Sequence, residues 1–194
     1  MAKVLGICGS ARKKGSTAAL LQEVVNAIGL DSEIIWLSDL SIKFCLGCHV
    51  CMEQQGRCVI EDDMAALLDK FLESKFIVVA SPNYYYTVSG MMKNMIDRSI
   101  SLNYRGVGED TGMVFHGYMP LVDKVGGIIV TQAAFGGEKV EETFKCFFDF
   151  SGLRHIGTVI ASVGNQHVRD YPEYLEEGRT LGKKIRDALR LLRS

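Results

Sequence analysis

The 194-residue chain is 47% apolar and 23% charged, enough length and apolar material for one compact domain with a sizeable core. Its 22 Lys and Arg nearly balance its 23 Asp and Glu, which excludes a strong overall field drawing it to nucleic acid or an anionic membrane. No stretch approaches the ~20 apolar residues that cross a bilayer, and the start, MAKVLGICGS, carries only a short apolar run, so a cytoplasmic protein with neither nucleic-acid nor membrane partner is expected.

In chain order, Val4 to Cys8 is an apolar run ending at Gly9, the pattern of a buried parallel strand. Ser16 then offers an N-cap, and Leu21, Val25 and Ile28 recur at helical spacing up to Gly29. Glu33 to Trp36 predicts a second strand, followed by a long cysteine-bearing loop and a helix over Asp62 to Glu73, with Asp62 and Asp63 as caps. Phe76 to Ala80 is the clearest buried strand; the segment SPNYYY and a helix from Gly90 to Ser99 follow it. Val125 to Val130 predicts the fourth strand, with a helix after Gly137 carrying Val140, Phe144, Phe147 and Phe148. Ile156 to Ala161 and a helix from about Pro172 to Leu192 complete the series. Five strands alternating with five helices predict a doubly wound α/β fold with a parallel sheet, because parallel strands need crossovers that cover both faces. No repeat or linker divides the chain. Only Ser101 to Lys124 resists assignment, and a loop longer than ~15 residues in a compact domain suggests a lid or a subunit contact.

In an open parallel sheet, ligands bind beyond the carboxyl ends of the strands. Three loops fall there. The first, GSARKKGST, combines Gly9 and Gly15, the hydroxyls of Ser10, Ser16 and Thr17, and the cation Arg12. Free amides and partial positive charge at a helix N-terminus suit a terminal phosphate. The glycine spacing matches neither G-x-G-x-x-G nor the P-loop, so a monophosphate fits better than a pyrophosphate; an ordinary capped turn is the plain alternative. The second loop, Ser81 to Tyr86, offers aromatic faces to a flat ring, or an interface patch. The third, Thr131 to Gly137, again sets small residues and amides at a strand end.

Four of the six cysteines, Cys45, Cys48, Cys51 and Cys58, read C-x2-C-x2-C-x6-C. Clustering of this kind in a reducing compartment points to a metal site, and one loop can wrap four thiolates around a [4Fe-4S] cube. Zinc and unligated thiols are the alternatives. Cys8 and Cys146 stand alone in apolar surroundings and read as buried apolar residues. His49 reads as a solvated loop residue, and His116, His155 and His167 have no metal-site spacing.

GSARKKGSTAALL and SPNYYYTVSGMMKNMIDR resemble the phosphate loop and the flavin-ring loop of the NAD(P)H-dependent FMN reductases of flavodoxin-like fold. The cysteine spacing resembles their iron-sulfur flavoprotein branch. The resemblance implies a five-stranded sheet of order 2-1-3-4-5 and a single FMN-binding domain over residues 1–194 with a cysteine-rich insertion at about 44–60. By position it places Ser10, Arg12, Ser16 and Thr17 at the FMN phosphate. Pro82, Asn83, Tyr84, Tyr85, Tyr86 and Thr87 would line the isoalloxazine, and Thr131, Gln132, Ala133, Gly136 and Gly137 would close its other side. Lys93, Asp97 and Arg98 would fix their helix. NAD(P)H is the implied co-substrate, a small molecule or a protein the electron acceptor, and a homodimer or homotetramer the assembly. The flavin carries the chemistry, so no side chain is assigned as acid or base. The rival readings are a flavodoxin-like carrier without turnover, disfavoured by the near-neutral charge, and a zinc-stabilised binding module.

Overall fold

The computed structural model describes residues 3–105 and 119–191. Five strands, β1 (Val4–Cys8), β2 (Ser32–Trp36), β3 (Phe76–Pro82), β4 (Val125–Gln132) and β5 (Arg154–Ser162), pair in parallel in the order β2-β1-β3-β4-β5. The helices are α1 (Ser16–Ile28), α2 (Val50–Glu53), α3 (Met64–Glu73), α4 (Gly90–Arg98), α5 (Gly137–Ser151) and α6 (Pro172–Leu191). This is the flavodoxin-like order and winding.

Period-two alternation divides the core into two layers. Val4, Cys8, Val78 and Ile129 pack with Leu20, Val24, Leu181 and Ile185 of α1 and α6. Their strand neighbours Leu5, Ile7, Ile77, Val79 and Ile128 pack on the other face with Leu67, Phe71, Met92, Phe144 and Phe148 of α3, α4 and α5. Each such side chain, fully buried, contributes roughly 1.5–3 kcal/mol. The continuous apolar runs of β1, β3 and β4 follow from burial on both faces.

Several local expectations change. β3 runs on through Ser81 and Pro82, beyond the end expected at Ala80; Pro82 pairs with Thr131, and the Asn83 N–H donates to the Thr131 carbonyl at 2.8 Å. α1 begins at Ser16 with Gly15 as its N-cap, so Ser16 does not cap it; the Ser16 hydroxyl instead accepts from the Val168 N–H at 3.1 Å. α3 starts only at Met64. The Asp62 carboxylate does accept from the Met64 N–H, but Asp63 caps no helix amide and accepts from the Ser41 N–H. Cys146 is exposed, because Phe144, Phe147 and Phe148 take the inward face of α5. Of the segment Ser101 to Lys124, a 3-10 turn spans Ser99–Tyr104 and Leu121 is buried, while residues 106–118 lie outside the described residues.

Candidate functional site

A cavity of about 780 Å³ opens where the carboxyl ends of β1, β3, β4 and β5 converge, the position expected for a ligand of this sheet. Arg12, Lys14, Gly15 and Ser16 line it from the first loop, Pro82, Asn83 and Tyr84 from the second, and Thr131, Gln132 and Ala133 from the third. A fourth segment, Val163 to His167 beyond β5, completes it. The sequence reading missed that segment, although the carboxyl-end rule applies to β5 as much as to the other strands.

The first loop is held from several sides. Ser10 is buried and its hydroxyl accepts from the Arg12 N–H at 3.2 Å, which curls the chain before α1. His167 donates from Nε2 to the Lys14 carbonyl at 3.1 Å while its Nδ1 accepts from the Arg169 N–H. These two bonds fasten the loop to the β5 side. The Thr17 and Thr131 hydroxyls meet at 2.5 Å and tie α1 to the end of β4. Because Gly15 brings no side-chain cap and no acidic residue stands in the first turn, the opening amides of α1 lack a capping oxygen. Among the described residues, the Arg12 guanidinium has no carboxylate partner. Orphan amides and a cation without a carboxylate partner are groups that could hold an anion such as a phosphate.

The second and third loops form the rest of the wall. Asn83 donates from Nδ2 to Gln132 Oε1 and to the Phe135 carbonyl, both at 3.1 Å, joining the two loops. Its Oδ1 is buried and has no donor among the described residues. Such a buried acceptor costs about 1–3 kcal/mol unless a ligand satisfies it. Tyr84 and Thr87 pair as an antiparallel bridge around Tyr85 and Tyr86, both at positive φ, and Tyr85 stands fully exposed at 100%. The Tyr86 ring lies against Gly136 and 5.9 Å from the Phe135 ring, with the Lys139 ammonium 5.0 Å from its centre. Eight of the fifteen residues expected at the flavin therefore line the cavity. Ser10 and Thr17 lie behind it as supports, and Tyr85, Tyr86, Thr87, Gly136 and Gly137 stand outside its lining.

A second cavity, of about 880 Å³, lies between the cysteine loop, α4 and α5. All four clustered cysteines line it, as do Cys146, Phe147 and Phe150. Cys45 and Cys48 are exposed, Cys51 and Cys58 half-buried. Burial, followed by the neighbouring thiols of Cys58, Cys45 and Cys48, pushes the Cys51 thiol up. Among the described residues, no three His, Cys, Asp or Glu side chains are drawn together around a single ion. The feet of this loop are firmly tied, through Asp62, Asp63, Asn94 and Arg98. His49 is exposed at positive φ, with Nδ1 3.3 Å from the Met52 sulfur. No described helix is long and apolar enough to cross a membrane.

The chain is similar along its length to proteins known as iron-sulfur flavoproteins. One, of Methanocaldococcus jannaschii, is 33% identical over 98% of this chain and 99% of its own. Another, of Methanosarcina thermophila, is 26% identical over 98% of this chain and 96% of its own. Among solved structures, a flavone reductase superposes with a TM-score of 0.74 at 20% identity, covering 97% of this chain, which spans 63% of that protein's length. An NADH:FMN oxidoreductase superposes with a TM-score of 0.68 at 14% identity over 97% of this chain and 90% of its own. At such identity the two superpositions speak for the fold. Residues 2–168 match the NADPH-dependent FMN reductase family, and the chain belongs to that family of flavin oxidoreductases.

Proposed function

We propose that the chain holds one FMN in the 780 Å³ cavity, takes electrons from NADH or NADPH, and passes them to a small-molecule or protein acceptor. The observation that carries this reading is the anion demand at one cavity: Arg12 and the uncapped opening amides of α1 lack an anion where the first, second and third loops meet. FMN supplies the redox chemistry that side chains cannot, accepting a hydride and releasing electrons singly or in pairs. The protein's part is to bind and orient. Arg12, Ser16 and the α1 amides fix the phosphate, with Ser10 and Thr17 supporting the turn. Ser16 already accepts from Val168, so its own O–H is left to donate. Pro82, Asn83 and Tyr84 together with their neighbours Thr131, Gln132 and Ala133 would form the wall that bears on the ring.

We also read Cys45, Cys48, Cys51 and Cys58 as ligands of one [4Fe-4S] cluster. Four thiols of one loop line one cavity, which fits the donor set in number and kind. A cube several ångströms across takes its thiolates from further apart than zinc, whose four sulfurs must each come within ~2.3 Å of one ion. Zinc sites more often draw on two separated cysteine pairs, so the single run C-x2-C-x2-C-x6-C favours the cluster reading. The wide apolar display of Phe44, Leu46, Tyr85 and Phe135 favours a homodimer or homotetramer. The four clustered thiols favour a reducing cytoplasm. We take the chain as one domain carrying the cysteine loop as an insertion.

Anaerobic purification followed by mass spectrometry of the released cofactor tests the reading. It expects FMN, with about four irons and four sulfides per chain after reconstitution. A colourless protein holding zinc and no flavin would overturn it.

A further inference from the structure

Arg98 ends α4 with its side chain only 2% exposed, and Asp62, its partner, is equally buried. The pair is a fork: Nη1 meets Asp62 Oδ2 at 2.6 Å and Nη2 meets Oδ1 at 3.1 Å. Two further bonds leave the same guanidinium. Nη1 donates to the Lys43 carbonyl at 2.7 Å, and Nη2 donates to Cys58 Sγ at 3.5 Å. Asp62 in turn accepts from the Lys43 N–H at 2.9 Å and the Met64 N–H at 3.1 Å. Lys43 precedes the first clustered cysteine by two residues, and Asp62 follows the last by four. One buried ion pair thus closes the base of the whole cysteine loop and reaches one of its sulfurs.

A structural ion pair would need only Asp62. A buried pair of this kind gains little over apolar packing, so stability alone is a weak account of it. The bond to Cys58 gives it a second role. A [4Fe-4S] cluster with four thiolates is an anion, and reduction adds one more negative charge. A fixed N–H donor at a ligand sulfur favours the more negative state and raises the potential. Asp62 cancels the guanidinium charge at a distance, so the effect acts through the local N–H and the nearer cation.

Resting on the cluster reading above, we propose that Arg98 is a positioning residue for that cluster: it holds Cys58 in place at the clamped loop base and raises the cluster's reduction potential. Among the described residues, Cys45, Cys48 and Cys51 receive no side-chain donor of this kind. Cys58 is therefore the ligand whose geometry is set before the metal arrives.

The test compares FMN-loaded, anaerobically reconstituted wild type with two variants. Arg98→Gln combined with Asp62→Asn removes the pair without leaving a lone buried charge. Arg98→Lys keeps a cation for Asp62 but has a single nitrogen that cannot also reach Cys58. Iron and sulfide per chain, the midpoint potential followed by electron paramagnetic resonance, and the rate of iron loss to a chelator are measured. Both variants are expected to retain FMN, to show a more negative midpoint, and to lose iron several-fold faster. If the paired variant fails to fold, the same shift in Arg98→Lys carries the test. A wild-type midpoint and wild-type iron loss in the variants overturn the role of Arg98 and leave the cluster reading intact. A wild type that keeps FMN but takes up no iron overturns the cluster reading and this proposal with it.

Discussion

Ser89 donates from its hydroxyl to the Gly9 carbonyl at 2.6 Å, joining the N-cap of α4 to the end of β1, the strand that leads into the loop of Ser10 to Gly15. The same oxygen accepts from the Met92 N–H, and the Ser89 N–H donates to the Ser81 hydroxyl at 2.9 Å. Gly9 permits this approach, since a Cβ there would come within 3.0 Å of Met92 and of Ser89 Oγ. Ser89→Ala should cost about 1.5–5 kcal/mol, the sum of a lost cap and an unmet buried carbonyl. Chemical denaturation checks it, and FMN affinity should fall in the same variant because the loop loses its anchor.

Arg12→Ala should weaken FMN binding by about 1.5–3 kcal/mol, the range for a hydrogen bond to a charged group. That is roughly a 10- to 150-fold rise in Kd. Fluorescence titration of the flavin-free protein measures it. Riboflavin, which has no phosphate, should bind the variant and the wild type alike; an equal loss for both ligands would remove Arg12 from the phosphate site.

Gly136→Ala should both strain the chain and displace Tyr86. The residue sits at φ 90, and an added Cβ would run into the Tyr86 ring. A non-glycine residue in such a conformation costs roughly 1–3 kcal/mol. Thermal unfolding should shift down, and an unchanged midpoint would show that the Tyr86 ring and the turn give way without cost.

His155 sits against the Phe148 ring, with Nε2 3.0 Å from the Thr158 hydroxyl, which donates to Glu141 at 2.7 Å. Burial pulls its pKa below the ordinary imidazole value. The unfolded chain then binds a proton more readily than the folded one, so stability is full above about pH 6.5 and falls as pH drops from there toward the folded value. His155→Gln should flatten that part of the stability profile, read from denaturant unfolding at several pH values. A wild-type slope in the variant would assign the acid sensitivity elsewhere.

The strands were legible because burial on both faces leaves continuous apolar runs such as Phe76 to Ala80, and the candidate anion loop because Gly, Ser and Arg crowd the start of α1. The order of the strands came through resemblance to the family, since no local pattern in Val4 to Cys8 says which neighbours it takes. What escaped were contacts between distant segments. Asp62 reads in sequence as a helix cap, yet its main partner is Arg98, thirty-six positions away. His167 has no spacing signal, because its partner is the Lys14 carbonyl, a backbone atom that every residue possesses. Cys146 reads as buried because its neighbours are aromatic, but the helical period turns it outward.

On the proposed reading, this fold holds FMN in a form that a nicotinamide can reduce. The most direct measurement mixes the anaerobic, FMN-loaded protein with NADPH, and separately NADH, while the blue flavin absorbance is followed. Bleaching by at least one of them, and its return on adding an electron acceptor, is the expected result. Retained FMN that neither nicotinamide bleaches would contradict the claim and leave the chain a flavin-binding carrier.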